Sequence, residues 1–156
     1  MNLSVVQAWV GPEGADQDFS FANGWYEIKT IGASADSVSI SSLQQLDRSE
    51  IGYLIINRVD KCAPEHHGST SLFQKTAEIR EFIKHDAHTA ALFEEKLARS
   101  GYLDLPEYDS QKYFFSGTKI YKVDKAFPKL ITNNVPPQVI AGHYILSIPG
   151  LVNWEI

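Results

Sequence analysis

The chain reads as an α/β domain in which a mixed central β-sheet is flanked by helices. Three observations point there. Strand-like runs fill the first part of the chain, helical periodicity fills the middle, and strand-like runs return towards the end. The run "IGYLIINRV" is continuously apolar and short, as suits a central strand covered on both faces. Asn23-Gly24 separates two stretches of alternating polarity, which is the strongest short-range signal of a β-hairpin.

Taken in order, "LSVVQAWV" is β-branched and aromatic enough to predict a buried first strand, closed by the turn residues "GPEG". The hairpin "DFSFANGWYEIKT" follows. "GASADS" is a small-residue loop, and "VSISSLQQLDRSE" begins as a strand and turns into a short helix. "DKCAPEHHGS" is a loop. Leu72, Thr76, Ile79 and Ile83, then Ala90, Phe93 and Leu97, recur at helical spacing, with "KHDAH" separating two helices and Gly101 at the C-cap. "KYFFSGTKIYKV" and "VIAGHYILSI" are the closing strands, joined by the proline- and asparagine-rich loop "FPKLITNNVPP". No repeat and no composition break divides the chain, so residues 1–156 form a single domain.

Composition narrows the function. With 44% hydrophobic and 21% charged residues the chain has ordinary globular usage. Fourteen Lys and Arg against 19 Asp and Glu leave a formal charge of −5, which argues against a protein that coats nucleic acid nonspecifically. Cys62 is the only cysteine, so neither an internal disulfide nor a thiolate-rich zinc site is available, and a reducing cytoplasm is the expected location. No apolar run approaches the ~20 residues of a membrane helix, and "MNLSVVQAWV" lacks the basic start and long apolar core of a signal peptide. "GPEGAD" lacks the lysine and hydroxyl of a phosphate-binding loop.

The hairpin holds the chemistry. With Asn23-Gly24 as a two-residue turn, Phe21 pairs with Tyr26, Ser20 with Glu27, Phe19 with Ile28 and Asp18 with Lys29. Phe19, Phe21, Tyr26 and Ile28 then form an apolar face suited to the core, while Asp18, Ser20, Glu27 and Lys29 share the other. Slipping the register by one residue would put the charges in the core. Two acids beside a lysine suit Mg²⁺, a hard ion that takes one or two carboxylates and leaves room for water and a phosphate. On spacing alone, a structural ion pair is the commoner meaning of such a trio.

The stretch from Ala8 to Asp47, "AWVGPEGADQDFSFANGWYEIKTIGASADSVSISSLQQLD", resembles the bacterial PD-(D/E)XK motif proteins, a family of the restriction-endonuclease-like nuclease superfamily. The similarity continues through "IGYLIINRV" and "KIYKVDKAFPKL". The resemblance implies a restriction-endonuclease-like core and metal-dependent cleavage of DNA phosphodiesters with Mg²⁺ or Mn²⁺, in a bacterial restriction or phage-defence setting with other subunits as possible partners. Asp18 matches the motif's first acid, Glu27 and Lys29 its (D/E)-x-K, and Gln45 the glutamine that often follows. Asp18 and Glu27 are thereby the metal ligands. Gln17 stands where the motif's name has proline. The superfamily core normally opens with a helix, yet only Met1–Ser4 precede the expected first strand, so the chain is read as the C-terminal part of a longer protein. The alternative is a catalytically inactive nuclease-fold module that binds DNA or a partner protein.

Other ionisable residues compete with this centre. Asp16 shares the face of Asp18 but sits farther from Glu27, and Glu13 lies in the turn. His66-His67, and His85 with His88, lack a third ligand and suit exposed positions. Lys119, Lys122, Lys125 and Lys129 stand in a locally basic, aromatic-interleaved window, where they form either a DNA-binding flank or the solvated face of an outer strand.

Overall fold

A computed structural model describes residues 3–156; Met1 and Asn2, part of the segment expected to precede a first strand, lie outside them. The elements run α1 (Leu3–Ala8), β1 (Phe19–Phe21), β2 (Gly24–Ile31), β3 (Ser37–Ile40), β4 (Gly52–Cys62), α2 (Leu72–Ile83), α3 (Ala87–Arg99), β5 (Lys112–Val123) and β6 (Tyr144–Ser147). Four strands form a mixed sheet in the order β1-β2-β4-β5, in which only β2 and β4 run parallel. The crossover between those two carries β3, which pairs with β6 in a separate antiparallel ribbon.

The first expected strand is a helix. Along α1, Val6 and Ala8 are buried while Ser4 and Gln7 are exposed, and Trp9 packs its ring 6.2 Å from that of Phe93 in α3. Lys96, also in α3, donates to the Gln7 and Trp9 carbonyls at 3.0 and 2.6 Å, satisfying groups that a helix end leaves open. A short apolar run has no decisive period of its own, so this packing and capping override its β-propensity. A short helix, Leu3–Ala8, therefore stands ahead of the sheet.

The middle of the chain follows its periodicity. Ser71 caps α2 by accepting from the Gln74 amide at 3.1 Å, and Asp86 caps α3 by accepting from Thr89 at 3.0 Å. Gly101 takes the left-handed conformation expected after the second helix. By contrast, no helix follows β3, and the last strand shrinks to Tyr144–Ser147.

The hairpin register differs from expectation by two residues. Phe19 faces Tyr26, Ser20 faces Trp25 and Phe21 faces Gly24, so Ala22 and Asn23 make the turn. Among the described residues no non-glycine has positive φ, which excludes the expected type I′ turn. Gly24 is needed for a close approach instead: a Cβ there would stand 2.8 Å from the Ile51 carbonyl oxygen. Because side chains alternate with period two, this shift changes every pairing and leaves every face intact.

The main core lies on the face opposite to the one expected. Trp25, Leu54, Ile56, Tyr121 and Val123 pack against Val38, Ile40 and Leu146 of the ribbon, with Leu46, Phe127, Ile148 and Leu151 completing the cluster. Phe19, Phe21, Tyr26 and Ile28 are only half-buried; Phe19 borders the helical cluster around Val6 and Phe93, and Tyr26 stacks on Tyr53 at 5.1 Å. Glu27 and Lys29 thus share their side of β2 with the apolar centre of the molecule.

Candidate functional site

On β2 the residues Trp25, Glu27 and Lys29 alternate along the core face, opposite Gly52, Leu54 and Ile56 of β4. Glu27 is 3% exposed, and its Oε1 lies 3.0 Å from Lys29 Nζ. The same ammonium donates to Gln45 Oε1 at 3.0 Å, an oxygen that also accepts from the Ser41 amide at 2.8 Å. Gln45 sits in the crossover just after β3, and its own amide donates to Ser42 Oγ at 3.2 Å.

Continuing the hairpin register one step places Asp18 opposite Glu27. The Asp18 carboxylate accepts from the Ile28 amide at 2.8 Å, taking over the ladder where β1 ends. Its backbone carbonyl accepts from Val10 and Gly11 at 2.9 and 3.1 Å. Backbone bonds therefore hold this acid from two directions.

Burial dominates the electrostatics. Desolvation, reinforced by the negative charge of Asp18, pushes the Glu27 carboxyl up to about 7, against the opposing pull of Lys29. Glu27 Oε2 is buried with no hydrogen-bond partner. An orphaned buried carboxylate oxygen is uncommon enough to call for an occupant.

A family model described as "Putative PD-(D/E)XK family member, (DUF4420)" matches residues 2–149, nearly the whole chain. The chain belongs to this family. Comparison with curated proteins gave no match, and comparison with solved structures gave none either. The mixed sheet flanked by helices agrees with the nuclease-like fold of PD-(D/E)XK proteins.

Within this PD-(D/E)XK chain the donor set fits a divalent cation. Asp18 and Glu27 supply hard oxygens, Glu27 Oε2 lacks a partner, and a Cβ at Gly11 would press to 3.2 Å from Asp18 Oδ1. Mg²⁺ needs no more than one or two carboxylates. Among the described residues, no group of three or more acidic, histidine or cysteine side chains is placed to share an ion.

The remaining candidates are scattered. Glu13 pairs with Lys96 at 2.9 Å and Asp16 is exposed, so neither joins the two acids. His66, His67, His85 and His88 are all exposed. The structure does not gather the four lysines into one strip. Lys119 pairs with Glu155 at 2.7 Å and lies on the core-side face of β5, whereas Lys122 lies opposite Tyr53 on the other. Lys129 donates to the Leu46 carbonyl at 2.9 Å, and desolvation lowers its pKa. Lys125 and Lys129 both line a hollow that also holds Asp47, Glu50 and Asp124.

One supporting residue was not foreseen. Gln17, 4% exposed, donates its side-chain amide to the Gln44 and Gln45 carbonyls at 3.1 and 3.2 Å. In the position of the motif's proline it ties the backbone next to Asp18 to the backbone of Gln45. Nothing in its sequence setting marks a loop glutamine for this role.

Proposed function

We propose that this chain hydrolyses DNA phosphodiester bonds with a divalent cation, Mg²⁺ or Mn²⁺. PD-(D/E)XK proteins are usually nucleases and generally use divalent metals. The observation that carries the reading is the contact of Lys29 with both Glu27 and Gln45, beside a buried carboxylate oxygen that has no partner. A restriction or phage-defence setting, other subunits as partners and a cytoplasmic location belong to the same proposal. Among the described residues no helix is long and apolar enough to cross a membrane.

Asp18 and Glu27 would hold the cation. When bound, the metal supplies Lewis-acid polarisation of the scissile phosphate. Glu27 must shed its proton to serve, and the cation's charge favours that loss. Lys29 orients the attacking water and offsets negative charge as it accumulates on the phosphate oxygens. Gln45 keeps the lysine aimed, because its Oε1 is itself held by the Ser41 amide.

The burial of Glu27 favours a second reading, a nuclease-fold module that binds DNA or a partner without cutting. Plasmid cleavage in Mg²⁺ or Mn²⁺ by the parent protein, Asp18→Ala and Lys29→Ala separates the two. Hydrolysis requires cleavage that both substitutions abolish, while Lys29→Ala still binds Mn²⁺ by calorimetry. Cleavage that survives both substitutions would refute the assignment. A parent that binds DNA but never cuts it supports the binding module.

A further inference from the structure

The outward face of the β3–β6 ribbon is rich in hydroxyls. Ser37 and Ser39 alternate with buried Val38 and Ile40, and Ser41 continues the row. Across the ribbon, Ser147 lies opposite Ser37 and Ile145 opposite Ser39. His143 Nε2 stands 3.1 Å from Ser39 Oγ. The three serines of the β3 row form one wall of a cavity of about 380 Å³, and Lys29 lines the same cavity. No acidic residue lines it, although the chain as a whole carries −5.

Alternate residues on a strand are about 6.6 Å apart, comparable with the spacing of successive phosphates along a polynucleotide strand. Serine hydroxyls are ordinary donors to phosphate oxygens, and such contacts set register without reading sequence. Carboxylates along the passage would repel that polymer.

We propose that this serine-lined groove seats the sugar-phosphate backbone of a nucleic-acid strand and leads its phosphate to Lys29. The inference rests on the hydrolytic reading of the same centre and adds the path by which substrate reaches it. With Lys29 as the cation lining the groove, affinity falls only shallowly with salt, with a log–log slope of roughly −0.7.

The test uses the full chain carrying Glu27→Gln to block cleavage, in EDTA, with fluorescent oligothymidylate and oligouridylate followed by anisotropy. Ser37→Ala/Ser39→Ala weakens binding by about three-fold and Ser37→Asp/Ser39→Asp by roughly ten-fold or more. Gln74→Asp, on exposed α2, leaves binding unchanged. Thermal unfolding confirms that each variant folds, and the alanine pair keeps the test valid should the aspartate pair fail to fold. The proposal is overturned if the parent binds neither oligomer, or if folded serine variants bind as the parent does. It is also overturned if Gln74→Asp weakens binding equally. Mn²⁺ calorimetry and plasmid cleavage, run without Glu27→Gln, separate the two claims. Serine-dependent binding without metal uptake or cleavage sinks the hydrolytic reading and leaves the groove standing. Metal-dependent cleavage unaffected by the serine substitutions does the reverse.

Discussion

Lys29 Nζ and Gln45 Oε1 meet at 3.0 Å, joining the second strand of the sheet to the crossover that leaves it. The glutamine oxygen cannot swing away without also abandoning the Ser41 amide. The lysine is thus held between an acid on its own strand and an amide from the excursion above it.

Replacing Lys29 with alanine removes the cation that restrains the Glu27 proton. The titration of Glu27 then moves above its present value of about 7. Carbon-detected NMR of the Glu27 carboxyl reads this directly, and an unmoved or lowered midpoint would contradict the assigned contact.

Glu27 also makes folding stability depend on pH. The unfolded chain releases this proton near 4.5, whereas the folded chain keeps it to about 7. Between those values the native state binds more protons, so stability falls as pH rises through the window, by on the order of 3 kcal/mol. Urea denaturation across that range shows the decline, and Glu27→Gln flattens it.

Adding Mn²⁺ opposes that decline. A cation binds the ionised carboxylate, so its affinity tightens as pH rises towards and past about 7, and binding below that value releases a proton. Calorimetry in buffers of different ionisation heat measures the released proton.

Gln17→Ala leaves two carbonyls without their shared donor. A loss of about 1–3 kcal/mol follows in chemical denaturation. If the tie positions Gln45, the side-chain amide signals of Gln45 shift as well. An unchanged amide environment would confine Gln17 to a packing role.

Gly52→Ala disrupts the centre of the fold. A Cβ at this position would stand 2.0 Å from the Trp25 ring, whose indole nitrogen is anchored to the Glu50 carbonyl at 3.1 Å. Neither group can yield, so destabilisation reaches ~3 kcal/mol or beyond, measurable as a lower unfolding midpoint.

Much of this arrangement was legible because strand parity survives errors of register. Asn-Gly misplaced the turn, yet a two-residue shift still leaves Glu27 and Lys29 on one face and Tyr26 and Ile28 on the other. Parity says which residues travel together and not which face is buried. Phe19 and Tyr26 looked like core because they are aromatic, while the sequence-distant Val38, Leu146 and Tyr121 chose the side of Trp25. Leu3–Ala8 hides its helical state for a related reason: Phe93, which clusters with Val6, and Lys96, which caps Gln7, lie far along the chain. Lys119 and Lys122 fall on different faces because their spacing of three along β5 breaks strand parity.

The parallel pairing of β2 with β4 has a consequence for how the molecule comes into being. The excursion between them contains Gln45, so Lys29 gains its second tether only as the chain returns to the sheet. A growing polypeptide therefore presents Glu27 and Lys29 as loosely tethered groups until β4 emerges and docks. Assembly of the Glu27–Lys29–Gln45 cluster is thereby coupled to closure of the sheet.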